Sequence, residues 1–220
     1  MAIAIDLVIV VVGVFIGIQV ANWNDGRKEQ AGQAVLVQRL YEEFLSIEPL
    51  LAQAVAELEA SARSTGAVIT ALRRQAPPED ADAFRADLAS ANWVRFVPGY
   101  AATYTELVSA GGLSKLANHD LRAALTRYGD IHARSERMFA AAYSTILDPQ
   151  SNYYSAVEWS VEPEAWTGPD AVERFDWDAL RASRAEMQAW ITYQVELQRL
   201  AGDELAEVRR VLSILQGGDR

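Results

Sequence analysis

The 220-residue chain contains no cysteine. This absence excludes disulfide bonds, thiolate metal sites and a cysteine nucleophile, although it does not choose a cellular compartment. Histidine is also scarce, with two in the whole chain. The sequence has no H-E-x-x-H zinc motif, no glycine-rich phosphate loop and no G-x-S-x-G serine elbow. Common catalytic and cofactor signatures are therefore missing, and we predict that the protein is not an enzyme, with no catalytic, cofactor or metal residues.

Basic residues are outnumbered, since 20 Lys and Arg face 30 Asp and Glu, giving a formal net charge of -10. This acidic balance argues against a nucleic-acid partner, because phosphate neutralisation needs clustered basic side chains. It also argues against simple electrostatic docking on anionic lipid. With 50% hydrophobic residues, the chain is long enough to bury a sizeable core in one or two domains.

The chain begins with a long apolar run. Leu7 to Ile18 carry no polar side chain, and the run extends from Ala2 to Trp23, about 20 residues or roughly 30 Å as a helix, which matches a hydrocarbon core. A signal peptide would need a basic segment that residues 1–6 lack, and strands average only about 5–6 residues. We predict a transmembrane helix at residues 1–24 and an extramembrane domain at residues 25–220.

Several residues of this run suggest how it would sit in lipid. Asn22, Trp23 and Asn24 are typical of a membrane interface, where an indole lies at headgroup depth. Gly13 and Gly17 form a G-x-x-x-G spacing that permits close helix–helix packing in a membrane. The basic pair at residues 27–28 follows the run, so the positive-inside rule taken literally places the domain in the cytoplasm.

The remaining sequence predicts helices with apolar seams at steps of three and four. One helical region covers about 30–75, either as one kinked helix or as two abutting helices at Pro49. After the breaker at 75–82, a short helix is predicted at about 81–91. A further short helix is predicted to start at Thr103, with Glu106 three residues on as a capping box, and to end at Gly111. Two more helices are predicted from the N-cap Asn118 to about 147 and from Asp176 or Asp178 to about Gln216. The three long seams are Leu36, Leu40, Phe44, Ile47, Leu51, Val55, Leu58, Ala62, Ile69 and Leu72; Leu121, Leu125, Tyr128, His132, Ser135, Phe139, Ala142 and Ile146; and Met187, Trp190, Gln194, Leu197, Ala201, Leu205, Val208, Leu212 and Leu215.

Two aromatic segments, 92–102 and 148–176, separate these helices and are predicted to be irregular. The expected fold class is therefore all-α: one N-terminal transmembrane helix followed by an antiparallel helical bundle, with the aromatic loops covering its ends.

Polar residues on the helices suggest few sites. His132 and Ser135 lie three apart on one seam and could be a base and a nucleophile, but no orienting group is visible, so a core histidine with a local hydrogen bond is expected. The ferritin-like di-metal pattern needs a histidine three residues after a glutamate, and neither histidine has this spacing. The remaining glutamates, including Glu204 and Glu207, are assigned to solvated faces, as are Glu42, Glu43, Glu57 and Glu59.

One corner combines aromatic and charged side chains. A hairpin across the two glycines at 111–112 would bring Tyr104 and Glu106 close to Arg122 and Tyr128. We predict that a Glu106–Arg122 ion pair fixes this corner. The functional alternative is a cleft in which Arg122 and the nearby Tyr100 or Tyr104 receive a small anionic ligand.

Two stretches, DLVIVVVGVFIGIQVANWND and TYTELVSAGGLSKLANHDLRAALTRY, together resemble a bacterial family of uncharacterised membrane-anchored helical proteins, known only as a domain of unknown function. The family pattern is a hydrophobic run ending Q-V-x-N-W-N, followed by T-Y-x-E-L-x-S-x-G and a helix start. On this chain the second pattern falls on Thr103, Tyr104, Glu106, Leu107, Ser109, Gly111, Leu113, Asn118, Leu121, Arg122, Leu125 and Tyr128. Relatives usually carry basic residues before the run, which implies a domain outside the cytoplasm. The resemblance brings no catalytic residues.

The sequence and the resemblance lead to one functional expectation. The protein is expected to be a single-pass protein of the bacterial inner membrane with a periplasmic helical domain. It would act without catalysis, as an accessory subunit of a membrane complex or as a homo-oligomer. Its expected partners are membrane lipid and other membrane-protein subunits or itself. The alternative is a periplasmic small-ligand sensor with a cleft between loops 92–104 and 148–176.

Overall fold

The computed structural model describes residues 2–74, 76–94, 101–167 and 169–217. Side chains are described throughout these ranges except at 2–18, 21, 22, 25, 26, 28–30, 163, 167 and 169. The structure is mostly helical (81%), which confirms the helical character of the predicted fold. The helices and strands are α1 Ala2–Ala71, α2 Ala81–Ala91, α3 Ala102–Ser109, α4 His119–Ile146, α5 Asn152–Ala156, β1 Val157–Trp159, β2 Val172–Phe175, α6 Trp177–Ala182 and α7 Arg184–Gly217.

Three long helices form the body, and α7 runs antiparallel to the other two. Gln194 near the start of α7 contacts Ser61 of α1, whereas Arg209 further along pairs with Glu48. Helix α7 is also antiparallel to α4. Glu204 contacts His132, whereas Glu207, further along α7, lies near Arg127, which comes earlier in α4. Helices α1 and α4 consequently run parallel to each other, and each packs antiparallel to α7.

Local sequence signals set most helix starts. Asp80, Asn118 and Asp176 each accept a hydrogen bond from the backbone N–H three residues later, at 2.9, 3.0 and 3.0 Å. Such side-chain caps satisfy N–H groups that the first helical turn leaves without partners. Gly111, which follows the end of α3, has a left-handed φ of 63°. Glycine commonly adopts this conformation after a helix C-terminus. The predicted boundaries at these positions are confirmed.

Helix α1 is longer than the sequence pattern indicated. It runs without interruption through Pro49, so the alternative of two abutting helices is wrong. It also continues across the predicted boundary between residues 24 and 25. Among the residues that the structure describes, no helix has the length and apolar character needed to cross a bilayer. Most of the predicted span at residues 1–24 lies outside the described side chains.

Two predictions for the later chain are wrong in part. The segment 148–176 is not wholly irregular, because β1 and β2 form a two-stranded antiparallel sheet, so the fold is not strictly all-α. The final helix does not run unbroken from Asp176, because it is divided at Ser183 into α6 and α7. The Ser183 hydroxyl donates to the Leu180 carbonyl at 2.7 Å, and this bond competes with helical continuation.

The predicted seams form the core. Every seam position of α7 from Met187 to Leu215 is buried, and the α1 and α4 seams are buried or partly buried. Because the seams of α1 and α4 both face α7, the apolar interior is continuous along the body. The polar residues within the seams are His132, Ser135 and Gln194. Of these, His132 contacts the buried Glu204.

Candidate functional site

A buried imidazole–carboxylate pair joins α4 to α7. His132 Nδ1 lies 2.8 Å from Glu204 Oε1, across 72 residues of sequence. The glutamate side chain is completely buried, and the histidine side chain is 16% exposed. A charged group this far from water is stable only when it is paired or hydrogen-bonded. When α4 and α7 are packed together, the buried Glu204 carboxylate is therefore stabilised by its hydrogen bond with His132.

Aromatic rings surround the imidazole on one side. Tyr128 stacks on His132 with ring centroids 5.8 Å apart and planes 10° from parallel. The Tyr128 ring also contacts Phe44 of α1 and Tyr104 of α3, with ring centroids 4.9 and 5.2 Å away. One turn further along α4, Glu136 Oε1 lies 3.7 Å from His132 Nε2. The ring is thus held between an aromatic column and two carboxylates.

These surroundings favour the protonated imidazole. The hydrogen bond to Glu204 is the largest cause that raises the pKa of His132, and the charges of Glu204 and Glu136 add to it, while burial opposes it. The net pKa lies above the ordinary value for histidine. Burial, followed by the charge of Glu204, also raises the pKa of the Tyr128 phenol, which remains protonated. The contacts between α4 and α7 at this site therefore shift the imidazole of His132 towards its protonated form.

A second buried carboxylate lies one turn along α7. Glu207 is 8% exposed by its side chain, with Arg127 at 3.9 Å and Arg210 at 3.7 Å, which are ion-pair rather than hydrogen-bond distances. Glu204 Oε2, Glu207 Oε1 and the Ser135 hydroxyl are buried and have no hydrogen-bond partner among the described residues. The prediction that Glu204 and Glu207 belong to a solvated face is therefore wrong.

The predicted corner is only partly assembled. Tyr104 and Tyr128 do meet, edge to face. Glu106, however, pairs with Arg39 of α1 at 3.2 Å, and Arg122 donates to the Ser114 carbonyl at 3.3 Å. The predicted Glu106–Arg122 ion pair is therefore wrong, because the long α1 passes beside α3 and offers Glu106 a nearer guanidinium.

The start of α3 is also stabilised from α1. The Thr103 N–H donates to both carboxylate oxygens of Glu43, at 3.0 Å each. The N-cap position is Ala101, which has no side chain able to cap, so the predicted capping box of Thr103 and Glu106 is wrong. A carboxylate at a helix N-terminus also interacts favourably with the helix dipole. Glu43 thus holds the start of α3 on α1, next to the contact between Tyr104 and Tyr128.

The chemistry available to this cluster is limited. Glu204 supplies the orienting carboxylate that the sequence did not reveal for His132, as in nucleophile–base–acid arrangements. The nucleophile is not aligned, however, because Nε2 faces Glu136 and the Ser135 hydroxyl makes no bond to it among the described contacts. No group of three metal-binding side chains occurs in the described part of the chain. Among the described residues, the geometry therefore pairs the imidazole with two carboxylates and does not align it with the Ser135 hydroxyl.

Glu204 could have been recognised from spacing alone. The positions 197, 201, 204, 208, 211 and 215 follow alternating steps of four and three, and all the others in this series are buried apolar residues. A glutamate within such a series lies on the core side of its helix. What the sequence could not supply is the partner, because His132 is on another helix.

The predicted membrane residues are only partly described. Trp23 is 64% exposed, and the Arg27 guanidinium lies 4.9 Å from the centroid of its ring. Asn24 is also exposed. Gly13, Gly17 and Asn22 lie outside the described side chains. Their predicted roles in helix packing and at the membrane interface remain predictions.

A glycine on α4 makes room for the tyrosine column. A Cβ atom at Gly129 would lie 1.9 Å from the Tyr104 hydroxyl oxygen, whereas a Cβ at Gly202 of α7 would meet nothing within 4 Å. We expect Gly129→Ala to lower the free energy of unfolding by about 1–3 kcal/mol through overpacking, less the gain in helix propensity. Gly202→Ala should raise it by up to about 1 kcal/mol. Chemical denaturation of both variants measures the difference.

The double variant Gly129→Ala/Tyr104→Phe is the control for this prediction. Removing the hydroxyl takes away the closest clash, so the double variant should recover most of the loss. Equal stability of the single and double variants would show that the Tyr104 hydroxyl does not lie against residue 129.

Comparison with known proteins places this helical chain in a family. The chain belongs to a family of unknown function, DUF6090, which matches residues 6–139. Searches of curated proteins and of solved structures each found no match. The matched region contains most of α1, all of α2 and α3, and most of α4, including Tyr128 and His132. It ends before α7, which carries Glu204. Membership confirms the expected resemblance to a family of unknown function, and membrane anchoring remains a prediction.

Proposed function

We propose that the protein is a single-span protein of the bacterial inner membrane whose helical body acts through protein–protein contacts, as an accessory subunit or a homo-oligomer. The observation that carries the proposal is the continuity of α1. The helix contains 70 residues, a length of about 105 Å at 1.5 Å per residue. Its first fully buried seam residue is Leu40, so the apolar run of the sequence and the core of the body occupy different parts of one helix.

The segment between them fits the role of a stalk. Residues 24–35 correspond to about 18 Å of helix, and among them Val35 is 62% exposed. An isolated helix of this length is marginal in water, so a second chain packed along it would stabilise it. The spacing of Gly13 and Gly17 supports helix association within the bilayer.

Two opposing arguments bear on which side of the membrane the helical body lies. Arg27 and Lys28 after the run favour a cytoplasmic body. The basic segment that relatives carry before the run favours a periplasmic body, and we propose the periplasm on that ground. Because the chain has no cysteine, a single engineered cysteine at Glu79 can be labelled by a membrane-impermeant maleimide on intact cells. Labelling only after lysis would place the body in the cytoplasm.

Membrane attachment is tested by centrifugation of a lysate. We expect the protein to stay in the membrane pellet and to be released by mild detergent. Val12→Arg should shift it towards the supernatant, because an arginine at the centre of a span costs about 2.5–3.5 kcal/mol. Val35→Arg, the same change on the exposed stalk, should leave it in the pellet. If the unaltered protein is found in the supernatant, the proposal is wrong.

The contact role is tested on the detergent-solubilised protein by mass measurement. A stable multimer, or one defined co-purifying membrane protein, supports the proposal. Gly13→Leu/Gly17→Leu should reduce a homo-oligomer while leaving the protein in the membrane. A monomer without a partner contradicts the contact role.

A second candidate is a small-ligand sensor between loops 92–104 and 148–176. It is supported by the hydrogen bond from Asn92 Nδ2 to the Tyr154 hydroxyl at 3.2 Å, which brings the two segments together. Residues 95–100 of this proposed cleft lie outside the described residues. A monomer whose melting temperature rises with one class of metabolite would favour the sensor over the contact role.

A further inference from the structure

The His132–Glu204 pair occupies a position where a change of charge has structural consequences. It joins the middle of α4 to α7 at 2.8 Å, and its carboxylate is fully buried. Beyond it, α7 contacts the lower part of α1: Arg209 pairs with Glu48 at 2.8 Å, and Gln216 donates to the Tyr41 hydroxyl at 3.1 Å. The pair thus lies between α4 and the part of α7 that touches α1 near its exit from the body.

We infer that the His132–Glu204 pair is a proton-controlled latch between α4 and α7: the protonated imidazole holds the buried carboxylate, and loss of that proton weakens the contact. This inference goes beyond the proposed function and does not depend on membrane attachment. It rests on the observed hydrogen bond, on the complete burial of Glu204, and on the absence among described contacts of any other partner for Glu204 Oε2.

Charged and titratable groups face the imidazole from every helix packed around it. Helix α4 contributes Glu136 and Tyr128, α1 contributes Glu43 through its interaction with Tyr128, and α3 contributes Tyr104. Helix α7 contributes Glu204, and the next carboxylate along it is Glu207, whose charge is countered by two arginines. Asp130 acts on the Tyr104 phenol rather than directly on the imidazole. The direct charges are thus negative and favour the imidazolium.

The direction of the pH effect follows from this balance. The pKa of His132 is raised in the folded protein, first by the hydrogen bond to Glu204. A group with a raised folded pKa contributes stability that is fully present below its unfolded pKa and is lost as pH rises through the folded pKa. Deprotonation leaves Glu204 buried beside a neutral ring, which is unfavourable for a carboxylate in low dielectric. The latch therefore holds fully below the unfolded pKa of histidine and loosens as the pH rises through the folded pKa of His132.

NMR tests the latch directly. The chain has two histidines, His132 and the exposed His119 at the start of α4, so His119→Gln leaves His132 as the single imidazole. In this full-length variant in detergent micelles, we expect the His132 resonance to titrate at higher pH than in the same variant unfolded in urea. A folded midpoint at or below the unfolded midpoint would overturn the latch.

Variants separate the latch from a merely structural contact. Glu204→Gln keeps a hydrogen-bonding side chain of the same size but removes the charge, so the His132 midpoint should fall. In the unaltered protein the melting temperature should decrease as pH rises through the His132 titration, and Glu204→Gln should lose this step. Glu196→Gln, at an exposed ion pair of the same helix, should retain it. Persistence of the step in Glu204→Gln would overturn the inference.

If Glu204→Gln fails to fold, Glu136→Gln gives an independent answer. Glu136 is 55% exposed and lies 3.7 Å from the other ring nitrogen, so its removal is tolerated structurally. We expect a smaller downward shift of the His132 midpoint and a correspondingly shifted melting step. An unshifted midpoint together with an unshifted melting step would count against proton control of this contact.

Discussion

Trp190→Ala is expected to lower the free energy of unfolding by about 3–5 kcal/mol, the range for deleting a large buried aromatic side chain. Trp190 is 1% exposed and packs edge to face on Tyr153, with ring centroids 4.7 Å apart. The Tyr153 hydroxyl in turn donates to the Leu88 carbonyl at 2.6 Å. Trp190 therefore connects α7 to both α5 and α2, and the cavity left by alanine would weaken all three.

Thermal unfolding measures this loss. For a chain of this size, a loss of that magnitude should lower the melting temperature by about 6–20 °C. Trp93→Ala is the matched control, because the Trp93 side chain is 52% exposed and its structural hydrogen bond uses the backbone carbonyl. A similar decrease in both variants would show that Trp190 is not the central contact of this end of the body.

Gln194→Ala should produce the second large loss, lowering the free energy of unfolding by about 2–5 kcal/mol. Gln194 is fully buried, and its amide nitrogen donates to the Ser61 hydroxyl and to the Ala91 carbonyl, at 2.7 Å each. Its amide oxygen accepts from the Thr65 hydroxyl at 2.8 Å. Alanine would remove these three buried hydrogen bonds, each with a net contribution of about 0.5–1.5 kcal/mol, and would leave a cavity in place of the deleted side chain.

Chemical denaturation of Gln194→Ala and Gln188→Ala tests this network. Both residues are glutamines of α7, but Gln188 is exposed, so its replacement should change stability by less than about 0.5 kcal/mol. The Ser61 hydroxyl also bonds the Trp93 carbonyl at 2.7 Å, so Gln194→Ala should additionally speed amide exchange near the end of α2. Equal effects of the two substitutions would contradict the network.

The helix ends were accessible from the sequence because their causes are local. Asn118 and Asp176 cap helices by bonds that span three residues, and Gly111 supplies a left-handed turn that glycine adopts at little cost. The apolar seams were equally accessible, because burial of one face repeats every three or four residues. These features need no knowledge of which helices become neighbours.

The charged contacts were not accessible in this way. Glu43 caps a helix 60 residues away, Glu106 pairs with Arg39 across 67 residues, and Glu204 meets His132 across 72. Each of these glutamates has other plausible partners nearer in sequence. The choice among them depends on the path of α1 and on the antiparallel placement of α7, which local rules do not specify.

The sequence by itself determined where the helices capped by Asp80, Asn118 and Asp176 begin, which helix faces are apolar, and that the chain opens with a run long enough to span a bilayer. Only the tertiary structure decided which carboxylates leave water and what compensates them. The physical reason is the range of the forces involved. Capping and periodic burial act within a turn or two of helix, whereas a buried charge is stabilised by a group that only the folded chain brings to it.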